Sequence, residues 1–199
     1  MNNYFKLKLK GDALVCIDWA NVYGWQKKLK WKIDAHKLIE YFKIYSEAKK
    51  IQFYFGTDVT QESKDFISSI KELEDNIFRV VTKDVKYVPV GFVDINKVNN
   101  KRNKKLRRKC DFDIEVALDT FLNIHNISSF ILVSGDGDYE PLIKFCISER
   151  KQTIIVANPG NLGKEYKNIP NGLFVCNIKK IKEFIENKYS REIAPPGVI

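Results

Sequence analysis

Apolar positions fall along this chain in two kinds of block. Short runs bounded by turn residues read as buried strands: residues 13–17 (ALVCI, ended by Asp18), 51–55 (ended by Gly56), 77–82, 130–133, 153–157 and a last short run at 173–176. Between them, apolar residues recur at helical spacing. A helix over 34–46 starts at Asp34 as its cap and places Leu38, Ile39, Phe42 and Tyr45 on one face. Further helices are predicted over 61–73, 113–124, 140–150 and 178–189. The 113–124 helix places Ile114, Ala117, Leu118 and Phe121 on one face. Residues 87–93 read as a strand or hairpin, and Pro89 keeps that segment out of a sheet centre. Strands alternating with helices predict βαβ units and a parallel sheet.

The 199 residues suit one domain with one core. We place it at residues 1–190, with a basic insertion at about 85–110 and a frayed tail at 191–199. Hydrophobic residues make up 44% and charged residues 30%, the balance of a water-soluble globular protein. No apolar run approaches the ~20 residues that span a bilayer. The N-terminal MNNYFKLKLKGD alternates apolar and basic residues and has no signal-peptide core, so the expected compartment is the cytoplasm. Cys16, Cys110, Cys146 and Cys176 form no C-x-x-C pair and read as free thiols. His36 and His125 have no ligand-like neighbours in sequence.

Charge changes the picture. The net charge is +9, and eight of the thirteen residues in KVNNKRNKKLRRK, 97–109, are Lys or Arg. Without those eight the chain carries +1, so the block reads as one local cationic feature suited to a polyanion. The plainer alternative is a solvated loop. An anionic membrane fits less well, because the block lacks the interleaved Trp, Phe or Leu of an interfacial helix.

Acidic residues supply the candidate chemistry. Asp18 ends the first strand, Asp136 and Asp138 follow the 130–133 strand in SGDGD, and Asp113 opens a helix. In an open parallel sheet these strand ends share one edge, where ligands bind. Each acid has an ordinary alternative: a helix cap for Asp113 or Asp138, an Asx turn for Asp18. Together, with no His or Cys among them, they suit a hard divalent cation, Mg²⁺ or Mn²⁺. DFDIE, 111–115, lacks the preceding strand of a phosphatase D-x-D motif. DGDYEP lacks the glycine and glutamate of an EF-hand, and GNLGKE has the wrong spacing for a P-loop.

The blocks VCIDWANVY, KCDFDIEVALD and ILVSGDGDYEPLIKFC resemble the NYN domain family, the LabA-like branch of the PIN-like nucleases, over about residues 13–157. The resemblance implies a three-layer α/β/α sandwich with a central, mainly parallel sheet and a metal-dependent ribonuclease site. It assigns Asp18, Asp113, Asp136 and Asp138 as catalytic residues and metal ligands, with Asn21, Ser134 and Asp119 in support. The chain departs from the family pattern at two points. Trp19 stands where a small residue is common and is a candidate to stack on a base. The Lys109-to-Asp113 gap is one residue longer than usual, which makes Asp111 a rival to Asp113. Tyr23 and Trp25 follow Asp18 closely and are stacking candidates too, with core packing of the first helix the favoured reading for both.

The expected activity is metal-dependent cleavage of RNA, single-stranded rather than duplex, in the cytoplasm. Lys101, Arg102, Lys104, Lys105, Arg107, Arg108 and Lys109 are expected to grip phosphates. The alternatives are a nucleic-acid-binding or regulatory module with a degenerate site, and a small-substrate metal phosphatase, against which the extended basic block argues.

Overall fold

The structure is a computed structural model that describes residues 5–89 and 106–188, the side chains at 89, 106 and 107 excepted. The chain starts with β1 (Ala13–Asp18) and the short helices α1 (Trp19–Gly24) and α2 (Gln26–Leu29). Next come α3 (Ala35–Lys43), β2 (Ala48–Thr57), α4 (Gln61–Lys71) and β3 (Phe78–Asp84). The pair β4 (Lys86–Pro89) and β5 (Leu106–Lys109) follows, then α5 (Asp113–Asn123), β6 (Ser129–Val133) and α6 (Glu140–Ser148). The chain closes with β7 (Gln152–Ala157), β8 (Leu173–Asn177) and α7 (Lys182–Ile185).

Six strands form one sheet in the order β3-β2-β1-β6-β7-β8, and every pairing in it is parallel. Helices flank it. Because parallel crossovers are right-handed, α3 and α4, which lead outward from β1 to β3, lie on the face opposite α5 and α6. The strand order reverses between β1 and β6. Those strands are paired from Ala13↔Ser129 to Ile17↔Val133, and each is buried along its whole length. Continuous apolar runs are what a strand covered on both faces requires.

Two predicted details change. The inner face of α5 is Val116 and Thr120, continued by Phe112 and Ile124 at its ends, while Ile114, Leu118 and Phe121 face solvent. A four-residue spacing from Phe112 sets that face. The terminal helix is reduced to a 3₁₀ turn at Ile178–Ile181 and the four residues of α7, and residue 189 lies outside the described residues. The strand or hairpin read over 87–93 is described as far as residue 89, where β4 pairs antiparallel with β5 apart from the main sheet, and 90–93 lie outside the described residues. Asp58 anchors this hairpin, accepting from the Tyr87 hydroxyl at 2.6 Å and pairing with Arg108 at 2.9 Å. Among the described residues no helix is long and apolar enough to cross a membrane. All four cysteines are free.

Candidate functional site

Two loops leave the sheet side by side where its strand order reverses, a position that forms a crevice in open α/β folds. After β1, Asp18 caps α1 by accepting from the Asn21 amide at 3.2 Å. After β6, Asp136 caps a 3₁₀ turn by accepting from the Asp138 amide at 3.2 Å. Ser134, fully buried, joins the two. Its hydroxyl donates to Asp18 Oδ2 at 3.5 Å and accepts from the Asp136 amide at 3.2 Å. Asn21 makes a second join: its side-chain carbonyl accepts from the Gly135 amide and from Trp25 Nε1, both at 2.9 Å. Asp113 arrives from the other side as the first residue of α5, where the helix dipole favours a carboxylate. The Tyr139 hydroxyl donates to Asp18 Oδ2 at 3.4 Å.

The acids share one electrostatic field. Burial pushes the Asp18 carboxyl up to about 6, and the negative charges of Asp136 and Asp113 push it the same way. The Asn21 amide and the Tyr139 hydroxyl offset part of that rise. Asp113 is also raised, by burial first and then by Asp136, Asp111 and Asp138. Burial and the charges of Asp18 and Asp113 drive the Tyr139 hydroxyl far above the usual phenol range, so it acts as a donor. Such a group is relieved by a proton or a cation. Its donors are carboxylate oxygens, the set that Mg²⁺ and Mn²⁺ prefer. Among the described residues, however, no three acids are gathered into a ready-made cage. Asp138 is exposed at the rim.

The loop from Pro159 to Asn168 forms the second wall. The Gly163 amide donates to Gly135 O at 2.8 Å. A Cβ on Gly135 would lie 2.4 Å from the Asn161 carbonyl oxygen, and one on Gly163 would lie 2.6 Å from Gly137 Cα. The backbones therefore touch, and glycine is required where they do. Tyr166 donates its hydroxyl to the Asp136 carbonyl, and the Glu165 carboxylate packs against Gly137.

The other predicted residues lie as follows. Asp111 is exposed and pairs with Lys109 at 3.1 Å, whereas Asp113 faces the group. Asp119 stands apart from the cluster and accepts from the Tyr54 hydroxyl at 2.8 Å. Trp19 is 6% exposed and packs against Phe53 and Phe66, with ring centroids 5.5 and 5.8 Å away. Its place is the core, and base stacking is ruled out for it by that burial. Lys101, Arg102, Lys104 and Lys105 lie outside the described residues, and Arg107 is described only as backbone in β5. Sequence reading missed Tyr139, Glu165 and Tyr166. Tyr139 had a signal, since it directly follows Asp138. The other two come from a loop whose closeness depends on the tertiary fold.

A model of the NYN domain matches residues 12–175. The low amplitude and bright protein LabA of Synechococcus elongatus (strain ATCC 33912 / PCC 7942 / FACHB-805) is 28% identical over 79 residues. That match takes in 40% of this chain and spans only 41% of the relative's length. The crystal structure of VPA0982, a protein of unknown function from Vibrio parahaemolyticus RIMD 2210633, superposes with a TM-score of 0.61 at 15% identity. It covers 92% of this chain and all of that one, a likeness of fold.

Proposed function

Because the chain belongs to the NYN domain family, a family generally of nucleases, we propose that it is a metal-dependent ribonuclease acting in the cytoplasm on single-stranded RNA. The observation that carries the reading is Asp18: a buried carboxyl at the sheet's reversal, raised to about 6 and facing Asp136 and Asp113. Asp18, Asp113 and Asp136 would hold Mg²⁺ or Mn²⁺, with Asp138 at the rim. A cation bound there supplies Lewis-acid stabilisation of phosphoryl oxygens and lowers the pKa of water. Ser134 and Tyr139 fix the orientation of the Asp18 carboxylate through its Oδ2. Asn21 holds the SGDGD turn against the first loop. Four free thiols suit a reducing compartment.

The test is incubation with labelled single-stranded RNA, duplex RNA and a generic phosphomonoester, each with Mg²⁺, Mn²⁺ or EDTA. Cleavage of the single strand with either metal and none in EDTA is expected. A second reading, an RNA-binding module that cleaves little, draws on the ungathered state of the acids. RNA binding without turnover under any condition would select it.

A further inference from the structure

Between residues 19 and 33 the chain holds four lysines, Lys27, Lys28, Lys30 and Lys32, and no acidic residue. The local fold sorts them by face. α2 sends Leu29 into the core, at 6% exposure, and leaves Lys27 and Lys28 outside. Lys30 then turns the chain in the left-handed region, φ 62°, and is exposed as well.

This segment is tied to the acidic site twice. Lys28 Nζ donates to the Gly160 carbonyl at 2.8 Å. Gly160 belongs to the loop whose Asn161 and Gly163 lie against Gly135. From the other direction, Trp25, the residue before α2, donates to Asn21, which also holds the Gly135 amide. The same loop carries exposed Lys164 and Lys167 on either side of the pair Glu165 and Tyr166, which touches Gly137 and Asp136. Lys27, Lys30, Lys164 and Lys167 make no ion pair with a carboxylate among the described residues. In contrast, Arg108 and Lys109 of the hairpin are each paired with an aspartate.

We propose that Lys27, Lys28, Lys30, Lys164 and Lys167 form a phosphate-binding ledge that holds the RNA backbone beside the acidic site, separate from the basic block at 97–109. The inference rests on the ribonuclease reading. The acids repel an incoming polyanion, and cations anchored one loop away offset that repulsion where the backbone must approach. Phosphate contacts of this kind give position without sequence preference. A lipid surface fits poorly, because Leu29 is buried and the half-buried Trp31 ring lies under Lys182 Nζ, 5.6 Å from its centroid.

The experiment compares the wild type with a variant carrying Lys27→Ser, Lys30→Asn, Lys164→Ser and Lys167→Ser. Lys28 is kept as the tether, and Asn suits the left-handed position. Binding of labelled single-stranded RNA is followed in EDTA across a salt series, with circular dichroism to confirm folding and a Lys-to-Arg version at the same four sites as a charge control. Four lost contacts should flatten the log–log salt slope by roughly three units, at about 0.7 per phosphate, and the Arg version should keep it. A wild type that binds and cleaves RNA beside a variant with an unchanged slope would overturn the ledge and leave the ribonuclease reading standing. A wild type that binds no RNA at low salt would remove both. Loss of binding only to phosphatidylserine vesicles, with RNA binding intact, would overturn the ledge in favour of a membrane contact.

Discussion

The side-chain carbonyl of Asn21 accepts the Gly135 amide at 2.9 Å, joining the two acid-bearing loops across 114 positions of chain. The same oxygen accepts from Trp25 Nε1 at 2.9 Å. Asn21→Ala leaves two donors without their partner, at roughly 1–3 kcal/mol each when buried. We expect urea denaturation to show a loss of about 2–6 kcal/mol, toward the lower end because both bonds are only part-buried. Asn21→Asp keeps the acceptor and should recover most of that stability at acidic pH. At pH 8 it adds a charge to a crowded acidic group, and the recovery should shrink.

Asp18 gives the apo protein a pH dependence of defined sign. Its folded value, about 6, lies above the ordinary 3.8, so between those values the folded state holds more protons than the unfolded one. The stabilising contribution is complete below pH 3.8 and is lost as pH rises through about 6. A shift of this size corresponds to about 3 kcal/mol. Asp113 is raised too and adds in the same direction. Asp75, lowered to about 2 chiefly by its bond from Lys43, works oppositely, and its contribution disappears as pH falls below 3.8. Asp18→Asn keeps the cap to α1 and removes the titration. The difference in unfolding free energy between variant and wild type should therefore grow in the variant's favour from pH 4 to pH 7, and a flat difference would refute the raised carboxyl.

Asp113→Asn should reduce cleavage far more than Asp111→Asn. Asp113 feels the charges of Asp136 and Asp138, while Asp111 is exposed beside Lys109. Single-turnover rates with Mg²⁺ decide between them. Wild-type rates in Asp113→Asn with loss in Asp111→Asn would reverse the assignment.

The sheet was legible because its inner strands are fully covered, so ALVCI and FILV carry an unbroken apolar signal. Asp18 and Asp136 were legible for a related reason: a strand that ends at the sheet's reversal must deliver its next residues to that edge. The face of α5 was not. Its surface apolar residues outnumber its buried ones, and only Phe112 docking near Tyr54, with centroids 5.7 Å apart, picks the rotation. Trp19 was misread because a large residue after an acid looks available for stacking until Phe53 and Phe66 are brought against it. The lysines at 27–32 were hidden by a count that treated charge outside the 97–109 block as balanced. Balance over the whole chain says nothing about balance on one face.

Cation binding should appear as stability before it appears as chemistry. Adding Mn²⁺ at pH 7.5 should raise the melting temperature of the wild type, since a ligand at 100 times its Kd stabilises by about 2.7 kcal/mol. Asp136→Asn should abolish that rise and the cleavage. Asn preserves the Oδ1 that accepts from the Asp138 amide, and its neutrality relieves Asp18 and Asp113. The metal-free variant should therefore be at least as stable as wild type. A variant that unfolds would mark the Asp136 carboxylate as structural.

The two glycines of SGDGD should differ in their tolerance of a methyl group. At Gly135 an added Cβ meets the Asn161 backbone oxygen at 2.4 Å and its carbonyl carbon at 3.0 Å. Backbone on both sides leaves nothing to swing aside, so the loop at 159–163 must move and the Gly163-to-Gly135 hydrogen bond must lengthen. At Gly137 the nearest atoms belong to the Glu165 side chain, at 2.0 and 2.6 Å, and a flexible carboxylate can rotate away. Gly135→Ala should therefore destabilise by about 1–3 kcal/mol, the usual range for overpacking, and Gly137→Ala by less. The same contrast should appear in RNA binding. Displacing the 159–163 loop moves Gly160, which holds Lys28, so Gly135→Ala should weaken RNA binding in EDTA while Gly137→Ala leaves it near wild type. Equal stability and equal binding in the two variants would mean that the loop and the turn are not held in contact in solution.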